Sequence, residues 1–334
     1  MKKKVLLPFE DNPYSQMYQG CAFSMGIIQG NAQKDLTPWL SSKYINCWYY
    51  ENLPNKFSYY FSDHWAVEDQ ILFHQSMDLS TDMFRALYGN DVLALFRKML
   101  DMGFYPHGEF NEEYIPGKRS YQKYYHYHDY ILIGYDDNAK QFVSAGYLMD
   151  RKYQRFFIPY ENMRQSIETV QTGKFHCDFW KYNPNASFEL NEKRLLQELS
   201  DYLECRITGK TFSANRACGL DAFVALAEHF VKTATEKQYI DDRYTKGVME
   251  HKFYMKMRIN YLLEKGYLKC LEYAEIADRV LKMSEKVHLM AMKYNYTGKF
   301  SIVEQICLLL NEMVGVEKDY LSRVLSELGQ EVCI

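Results

Sequence analysis

A cysteine and a histidine in this sequence have surroundings that could support nucleophilic chemistry. Cys21 opens a run of small and apolar residues at helical spacing, and His128 immediately precedes a strongly apolar strand. A thiol in the first turn of a helix feels the positive end of the helix dipole and unpaired N–H groups, which lower its pKa and can hold an oxyanion. A histidine fixed at the end of a strand can supply the base that such a thiol needs.

Two further groups would complete a site of this kind. Gln16 and Gln19 precede Cys21 closely, and either amide could donate to an oxyanion; we predict Gln16 for this role, with Gln19 as the alternative. The group that orients the histidine should lie on the strand paired with the histidine's own strand. Asp150 is the acid there, and Ser144 is a weaker polar alternative.

The hydrophobic pattern predicts the elements that position these residues. The apolar runs 130–133 and 141–148 flank Asp136, Asp137 and Asn138, which accept positive φ or cap their own backbone, so a hairpin is expected. An aromatic run at 153–160 would add a third strand. His128 would therefore sit at the outer end of a central strand.

The remainder of the chain divides into two parts by character. Before residue 185, aromatic runs at 44–50 and 56–61 predict strands, and 68–74, 82–100 and 160–172 predict helices. From residue 191 onward, long helical patterns separated by glycine or polar breaks predict a helical bundle. Its charged residues, such as those at 250–252 and Lys282, are expected on solvated faces. We therefore predict two domains, 1–185 and 186–334.

Composition restricts the classes of function. A net charge of -3 gives no basic face, so nucleic acid is not an expected partner. No stretch approaches the length of a membrane span, and the amino terminus does not fit a signal peptide, so we expect a cytoplasmic protein with no membrane partner. The 30 tyrosines and 20 phenylalanines would suit walls for an amphipathic ligand, although core and interface packing is the preferred explanation.

The eight cysteines form no C-x-x-C pair and have no histidine at zinc-finger spacing. We therefore expect no metal site and mostly buried free thiols. A small buried helix residue remains an alternative interpretation of Cys21. His176 and Cys177 are adjacent but point to opposite faces of a strand, which makes them a weak catalytic pair.

The order of Cys21, the segment HDYILIGYDD from His128, a paired strand and RFFIPYENM resembles the papain-like bacteriocin-processing peptidase superfamily. It is more similar to an offshoot typified by the amino-terminal domain of butirosin biosynthesis protein H, found with nonribosomal peptide assembly lines. The helical C-terminal part is also similar to the region that accompanies those domains. The resemblance implies an α+β, papain-like cysteine-protease fold with N-terminal helices, an antiparallel sheet and a C-terminal α-helical bundle.

The resemblance further implies a cysteine acyltransferase that forms amides in antibiotic biosynthesis. Its thiol would take an acyl group from the phosphopantetheine thioester of an acyl or peptidyl carrier protein and pass it to a small amine, with no bound cofactor. Cys21 matches the nucleophile, His128 the base, and Gln16 or Gln19 the oxyanion-hole glutamine. A cysteine hydrolase, either peptidase or thioesterase, and a non-catalytic papain-like binding protein are the alternatives.

The sequence departs from this family at one position. The peptidases place an aspartate on the strand that follows the histidine's strand, where this chain has Ala145, Gly146 and Tyr147. Asp150 lies further on and is the predicted substitute, with a backbone carbonyl as the other possibility. The sequence specifies neither the acyl group, the amine, the carrier protein nor the oligomeric state.

Overall fold

The computed structural model describes residues 3–52, 56–59, 72–80, 82–83, 86, 92–171, 174–206 and 216–331. The chain is a mixture of helices and antiparallel sheets, which confirms the α+β class. It forms two compact units, the first made of residues 1–33 and 66–186 and the second of residues 34–65 and 187–334. Residues 34–65, which the sequence analysis assigned to the first domain, therefore belong to the second unit.

A seven-stranded antiparallel sheet forms the centre of the first unit. Its strands are β1 (Lys4–Leu6), β4 (Leu72–Ser80), β5 (Tyr105–Asn111), β6 (Tyr127–Asp136), β7 (Gln141–Tyr147), β8 (Tyr153–Pro159) and β9 (Lys174–Tyr182). The strands β2 (Trp48–Tyr50) and β3 (Phe57–Ser58) belong to the second unit. The strand order is β4-β9-β5-β6-β7-β8, and β1 also pairs with β6. The predicted helix at 68–74 is wrong where it is described, because 72–74 lie in β4; residues 68–71 are outside the described part.

The predicted hairpin is confirmed, and its turn chemistry is visible. Asp136 ends β6, and its carboxylate accepts hydrogen bonds from the N–H groups of Asn138 (3.0 Å) and Ala139 (3.2 Å). Lys140 takes a φ of 51°, which lets Gln141 pair with Asp136. A self-capped aspartate thus fixes the register beside the turn. The register shifts by one residue between Leu132 and Gly134, and His128 lies beyond that shift, near the other end of β6.

Helices cover the sheet of the first unit. They are α1 (Gln19–Asn31), α3 (Val92–Asp101) and α4 (Tyr160–Glu168), and α2 (Thr37–Leu40) lies in the second unit. Side chains of α3 and α4 pack with alternate residues of β5 to β9 in one apolar core, including Phe96, Phe110, Leu132, Phe142, Ile158 and Met163. Eight consecutive residues of α1, Cys21 to Ile28, are buried.

The second unit is mainly helical. Besides α2, its described helices are α5 (Glu192–Leu203), α6 (Asp221–Thr235), α7 (Asp242–Glu264), α8 (Glu272–Thr297) and α9 (Phe300–Glu331), and each of these five overlaps a predicted helical pattern. A small sheet with the order β10-β2-β3 accompanies them, where β10 is Arg216–Cys218. No described helix is long and apolar enough to cross a bilayer.

Side chains of α7 hold the segment 34–65 in the second unit. His251 Nε2 lies 2.8 Å from the carbonyl of Ile45, and Arg258 donates to the carbonyls of Ser41 (2.7 Å) and Lys43 (2.6 Å). Burial lowers the pKa of His251 well below its usual value, so the ring is neutral and Nε2–H is the donor. These bonds satisfy backbone carbonyls that would otherwise be buried without partners.

The expectation that Glu250, His251 and Lys252 form a solvated face is wrong, because all three are buried. Lys252 Nζ contacts Glu317 of α9 at 2.6 Å, and neither side chain is exposed to solvent. Tyr202 of α5 donates to the same Glu317 oxygen at 2.8 Å. Charges can occupy this interior because each is paired and hydrogen-bonded. Lys282, by contrast, is 71% exposed.

Candidate functional site

Cys21 occupies the third position of α1, in the first helical turn. The first intrahelical hydrogen bond joins the Ala22 N–H to the carbonyl of Tyr18 (3.1 Å), so Cys21 lies within the turn whose N–H groups precede that bond. The cysteine is a free thiol and is 4% exposed. The predicted helix-start environment of Cys21 is therefore present, and it is a dry one.

Gln19, the first residue of α1, connects this helix to β6 and β7. Its Nε2 donates to the carbonyl of Asp129 on β6 (2.5 Å), and its Oε1 accepts from the N–H of Tyr147 on β7 (3.1 Å). The β6–β7 pairing ends with Ile131 opposite Ala145. Two residues further along each strand, the Gln19 amide joins Asp129 to Tyr147 in the place of a direct backbone hydrogen bond.

Gly146 explains why this chain lacks the aspartate expected on β7. A Cβ atom added to Gly146 would lie 2.7 Å from Gln19 Oε1, which is closer than such contacts allow. The Gln19 side chain therefore occupies the space into which a residue-146 side chain would project. The glycine at position 146 and the position of the Gln19 side chain are therefore two aspects of one arrangement.

His128 lies beside both Gln19 and a carboxylate. Its Nδ1 is 2.9 Å from Asp129 Oδ1 and 3.4 Å from Gln19 Nε2. A Cβ atom added to Gly20 would lie 3.6 Å from Asp129 Oδ2, so the same carboxylate lies close to the residue before Cys21. The first turn of α1 and the start of β6 thus bring the thiol's neighbours and the imidazole together.

A second carboxylate, Glu112, lies behind His128. It opens the 3₁₀ turn Glu112–Tyr114, which follows β5, and it is buried. Its oxygens are 2.7 Å from Tyr130 OH, 2.7 Å from His126 Nδ1 and 3.7 Å from His128 Nδ1. Lys118 Nζ (3.4 Å) and Ser120 Oγ (3.2 Å) complete its surroundings. A buried carboxylate with this many donors is fixed in place and ionised.

The electrostatics of the site favour a charged imidazole. Burial works to lower the pKa of His128, but the hydrogen bond and charge of Asp129 together with the charge of Glu112 raise it above its usual value. Burial likewise works to raise the pKa of Asp129, and the hydrogen bond and charge of His128 together with the charge of His107 lower it. The His128–Asp129 pair is therefore an ion pair over a wide range of pH.

The other predicted residues have hydrogen-bond partners of their own. The Gln16 amide donates to Asn12 Oδ1 (2.5 Å) and the carbonyl of Pro13 (3.1 Å), so it stabilises the turn before α1. The Asp150 carboxylate accepts from the N–H of Lys152 and from the Gln154 amide, both at 3.1 Å, within the β7–β8 turn.

Ser144 donates to the carbonyl of Ile131 (2.7 Å) within the sheet. Cys177 is fully buried, and the side chain of His176 is outside the described part. The described contacts thus bring Gln19 to His128, and they give Gln16, Asp150 and Ser144 local structural partners.

Sequence reasoning missed Asp129 and Glu112. Asp129 follows His128 directly in the sequence. Because neighbouring side chains of a strand point to opposite faces, the group that orients His128 was expected on the paired strand instead. Glu112 lies in a loop rich in acids, where nothing in its spacing separates it from Glu113. Gln19 was only the alternative to Gln16, although its position beside Gly20 at the helix start was a usable signal.

No known family model matches this chain, and no curated protein matches it significantly. Within the described residues, no group of three or more histidine, cysteine, aspartate or glutamate side chains is arranged to hold a metal ion. The functional interpretation therefore depends on the geometry of the site. That geometry combines a helix-start thiol with an imidazole between an amide and two carboxylates.

Proposed function

We propose that this protein is a cysteine-dependent acyltransferase that forms amide bonds. Cys21 accepts an acyl group from a phosphopantetheine thioester on a carrier protein, and a small amine then takes the acyl group from Cys21. The observation that carries the proposal is the Gln19 amide, which ties the turn bearing Cys21 to the carbonyl of Asp129 and lies 3.4 Å from the His128 ring.

Each step of the reaction has a group available to it. The Cys21 thiolate attacks the thioester carbonyl, the bond from that carbon to the phosphopantetheine sulfur breaks, and the leaving thiolate takes a proton from His128. The amine then attacks the enzyme thioester, the bond to Cys21 breaks as the amide forms, and the amine proton passes to an imidazole. The raised pKa of His128 supports a thiolate–imidazolium pair before the first step.

The burial of Cys21 supports transfer to an amine in preference to hydrolysis. Cys21 is 4% exposed, so the enzyme thioester would form in a region from which water is largely excluded. The N–H groups of the first turn of α1 offer donors for the oxyanion. Since thioester exchange is nearly isoenergetic, amide formation supplies the driving force of the overall reaction.

The proposal is tested by product analysis with acyl-phosphopantetheine thioesters and a panel of primary amines, for the wild type and Cys21→Ser. The expected result is an amide in excess of the free acid for the wild type and neither product above background for Cys21→Ser. Free acid as the sole product, at every amine concentration, would replace the transferase with a hydrolase. Equal product from both proteins would remove Cys21 from the mechanism.

A further inference from the structure

The C-terminal half of α8 carries a stripe of large side chains that the second unit leaves exposed. Leu289, Met292 and Tyr296 are 61%, 41% and 92% exposed. Their spacing of three and four residues places them on one face of the helix. Val287 and Tyr294, on the opposite face, are buried in the unit. Single exposed apolar residues are common, but three that lie side by side indicate a surface that another molecule covers.

Two opposite charges border this stripe at equal distances from its first residue. Glu285 lies one helical turn before Leu289, and Lys293 lies one turn after it. Both charged side chains are exposed. Each is separated from Leu289 by a rise of about 6 Å along the helix, so the two charges flank Leu289 on the same face. Lys282, a further turn towards the start of α8, continues that face.

This arrangement of charges is complementary to itself. In a pair of copies related by a twofold axis, residue i of one copy contacts residue j of the other, and j contacts i. If two α8 helices cross antiparallel with the axis at Leu289, the two Leu289 side chains meet, and Glu285 of each copy faces Lys293 of the other. Lys282 of each copy then lies opposite Tyr296 of the other, which favours a cation–π contact.

The same charges disfavour the opposite direction of pairing. In a parallel pair related by a twofold axis, Glu285 would face Glu285 and Lys293 would face Lys293, so like charges would repel. The antiparallel pair replaces these repulsions with attractions, and it also covers Leu289, Met292 and Tyr296. The signs of the charges therefore select the antiparallel arrangement.

We propose that this face of α8 is the contact between two copies of the chain, which pair antiparallel about a twofold axis at Leu289. The dimer is independent of the proposed acyltransferase function, because the contact uses no residue of the candidate site. A standard interface has about 20–30 residues on each side, and the α8 face offers far fewer. We therefore expect a reversible dimer with a dissociation constant of about 1–100 µM.

The test is sedimentation velocity of the whole chain at concentrations of about 1–200 µM, with circular dichroism to verify that each variant is folded. The proteins compared are the wild type, Glu285→Lys, Lys293→Glu, an equimolar mixture of these two variants, and Leu289→Asp. Leu271→Asp is the matched control. Leu271 is also an exposed leucine (75%), but it precedes α8 and so lies about 27 Å from Leu289 along the helix axis.

We expect the wild type and Leu271→Asp to dimerise equally. Each charge reversal changes two attractive pairs into two repulsive ones, so Glu285→Lys and Lys293→Glu should each weaken dimerisation by about tenfold. Their mixture should recover dimerisation to within about threefold of the wild type, because both contacts of the mixed pair again join opposite charges. Leu289→Asp should abolish dimerisation in this concentration range, since two carboxylates would then meet at the axis.

A wild type that remains monomeric at about 200 µM would overturn the proposal. A dimer that none of the α8 variants weakens would place the contact on another surface, which also overturns it. The same conclusion would follow if the mixture dimerised no better than its two components, or if Leu271→Asp weakened the dimer as much as Leu289→Asp does. Recovery in the mixture cannot come from a folding defect, so it would support the antiparallel pairing directly.

Discussion

Replacing Gln19 by alanine should destabilise the first unit and impair the site, whereas replacing Gln16 should do neither to a comparable degree. Gln19→Ala removes the bonds to the carbonyl of Asp129 (2.5 Å) and the N–H of Tyr147 (3.1 Å). Gln19 is itself buried, so both backbone groups lose their partner in a largely dry region. A backbone group left unpaired in the interior costs about 1–3 kcal/mol.

The expected loss in the free energy of unfolding is therefore about 2–4 kcal/mol, where the lower value applies if water enters the vacated space. Gln16 is half-buried, and its bonds to Asn12 and Pro13 lie in an exposed turn, so Gln16→Ala should cost about 0.5 kcal/mol. The assay is urea unfolding of both variants by circular dichroism, paired with the rate of Cys21 acylation.

The difference between the two variants tests whether Gln19 bridges α1 to β6 and β7. We expect Gln19→Ala alone to slow acylation, because the amide that ties α1 to the strand bearing His128 is lost. Equal stability of the two variants, within about 0.5 kcal/mol, would refute the assigned bridging role of Gln19. A larger acylation defect in Gln16→Ala would return the oxyanion-hole role to Gln16.

Three further predictions follow from the same geometry. Asp129→Asn should lower kcat/KM by about 100-fold, while Asp150→Asn should stay within about twofold of the wild type, as measured by steady-state product formation; the reverse order would contradict the placement of the orienting carboxylate. The stability difference between wild type and Asp129→Asn, measured by urea unfolding at several pH values, should be largest between pH 3.8 and 6.5. Because the pKa of Asp129 is lowered, its contribution to stability is complete above pH 3.8 and is lost as the pH falls through the folded-state pKa. Because the pKa of His128 is raised, its contribution to stability is complete below pH 6.5 and is lost as the pH rises through the folded-state pKa. A stability difference that stays constant across pH would contradict the ion pair. Lys252→Met should destabilise the protein by about 3–5 kcal/mol in the same assay, whereas Lys252→Met combined with Glu317→Leu should be much closer to wild type; an equally unstable double variant would contradict the buried pair.

Local sequence signals predicted the parts of the fold that depend on neighbours along the chain. The hairpin followed from Asp136 to Asn138 between two apolar runs, and the helices of the second unit followed from periodic apolar residues broken at Gly219, Gly266 and Gly298. Turn chemistry and helical periodicity are properties of a few adjacent residues, so one sequence is enough to reveal them.

Pairings between distant parts of the chain were not predictable in this way. The segment 34–65 belongs to the second unit because His251 and Arg258 bond to its backbone carbonyls, across more than 200 residues of sequence. Lys252 looked like a surface residue because its partner Glu317 lies on another helix, 65 residues away. Composition and periodicity carry no information about which charges will meet.

In the candidate site, too, some residues could be predicted from the sequence and others could not. Cys21 and His128 could be selected from local context, namely a helix start and a strand end. The orienting groups could not, because the Gln19 side chain fills the space expected for an aspartate side chain at Gly146 and because Asp129 serves the histidine from the adjacent position. Both arrangements become apparent only when α1, β6 and β7 are considered together.

The role of Cys21 as nucleophile is tested by the intact mass of the protein after mixing with an acyl-phosphopantetheine thioester, for the wild type, Cys21→Ala and His128→Ala. We expect a single acyl adduct on the wild type, none on Cys21→Ala, and an adduct that forms much more slowly on His128→Ala. An adduct of equal size and rate on Cys21→Ala, or no adduct on the wild type with any thioester, would contradict the assignment of Cys21 as the acyl-accepting nucleophile.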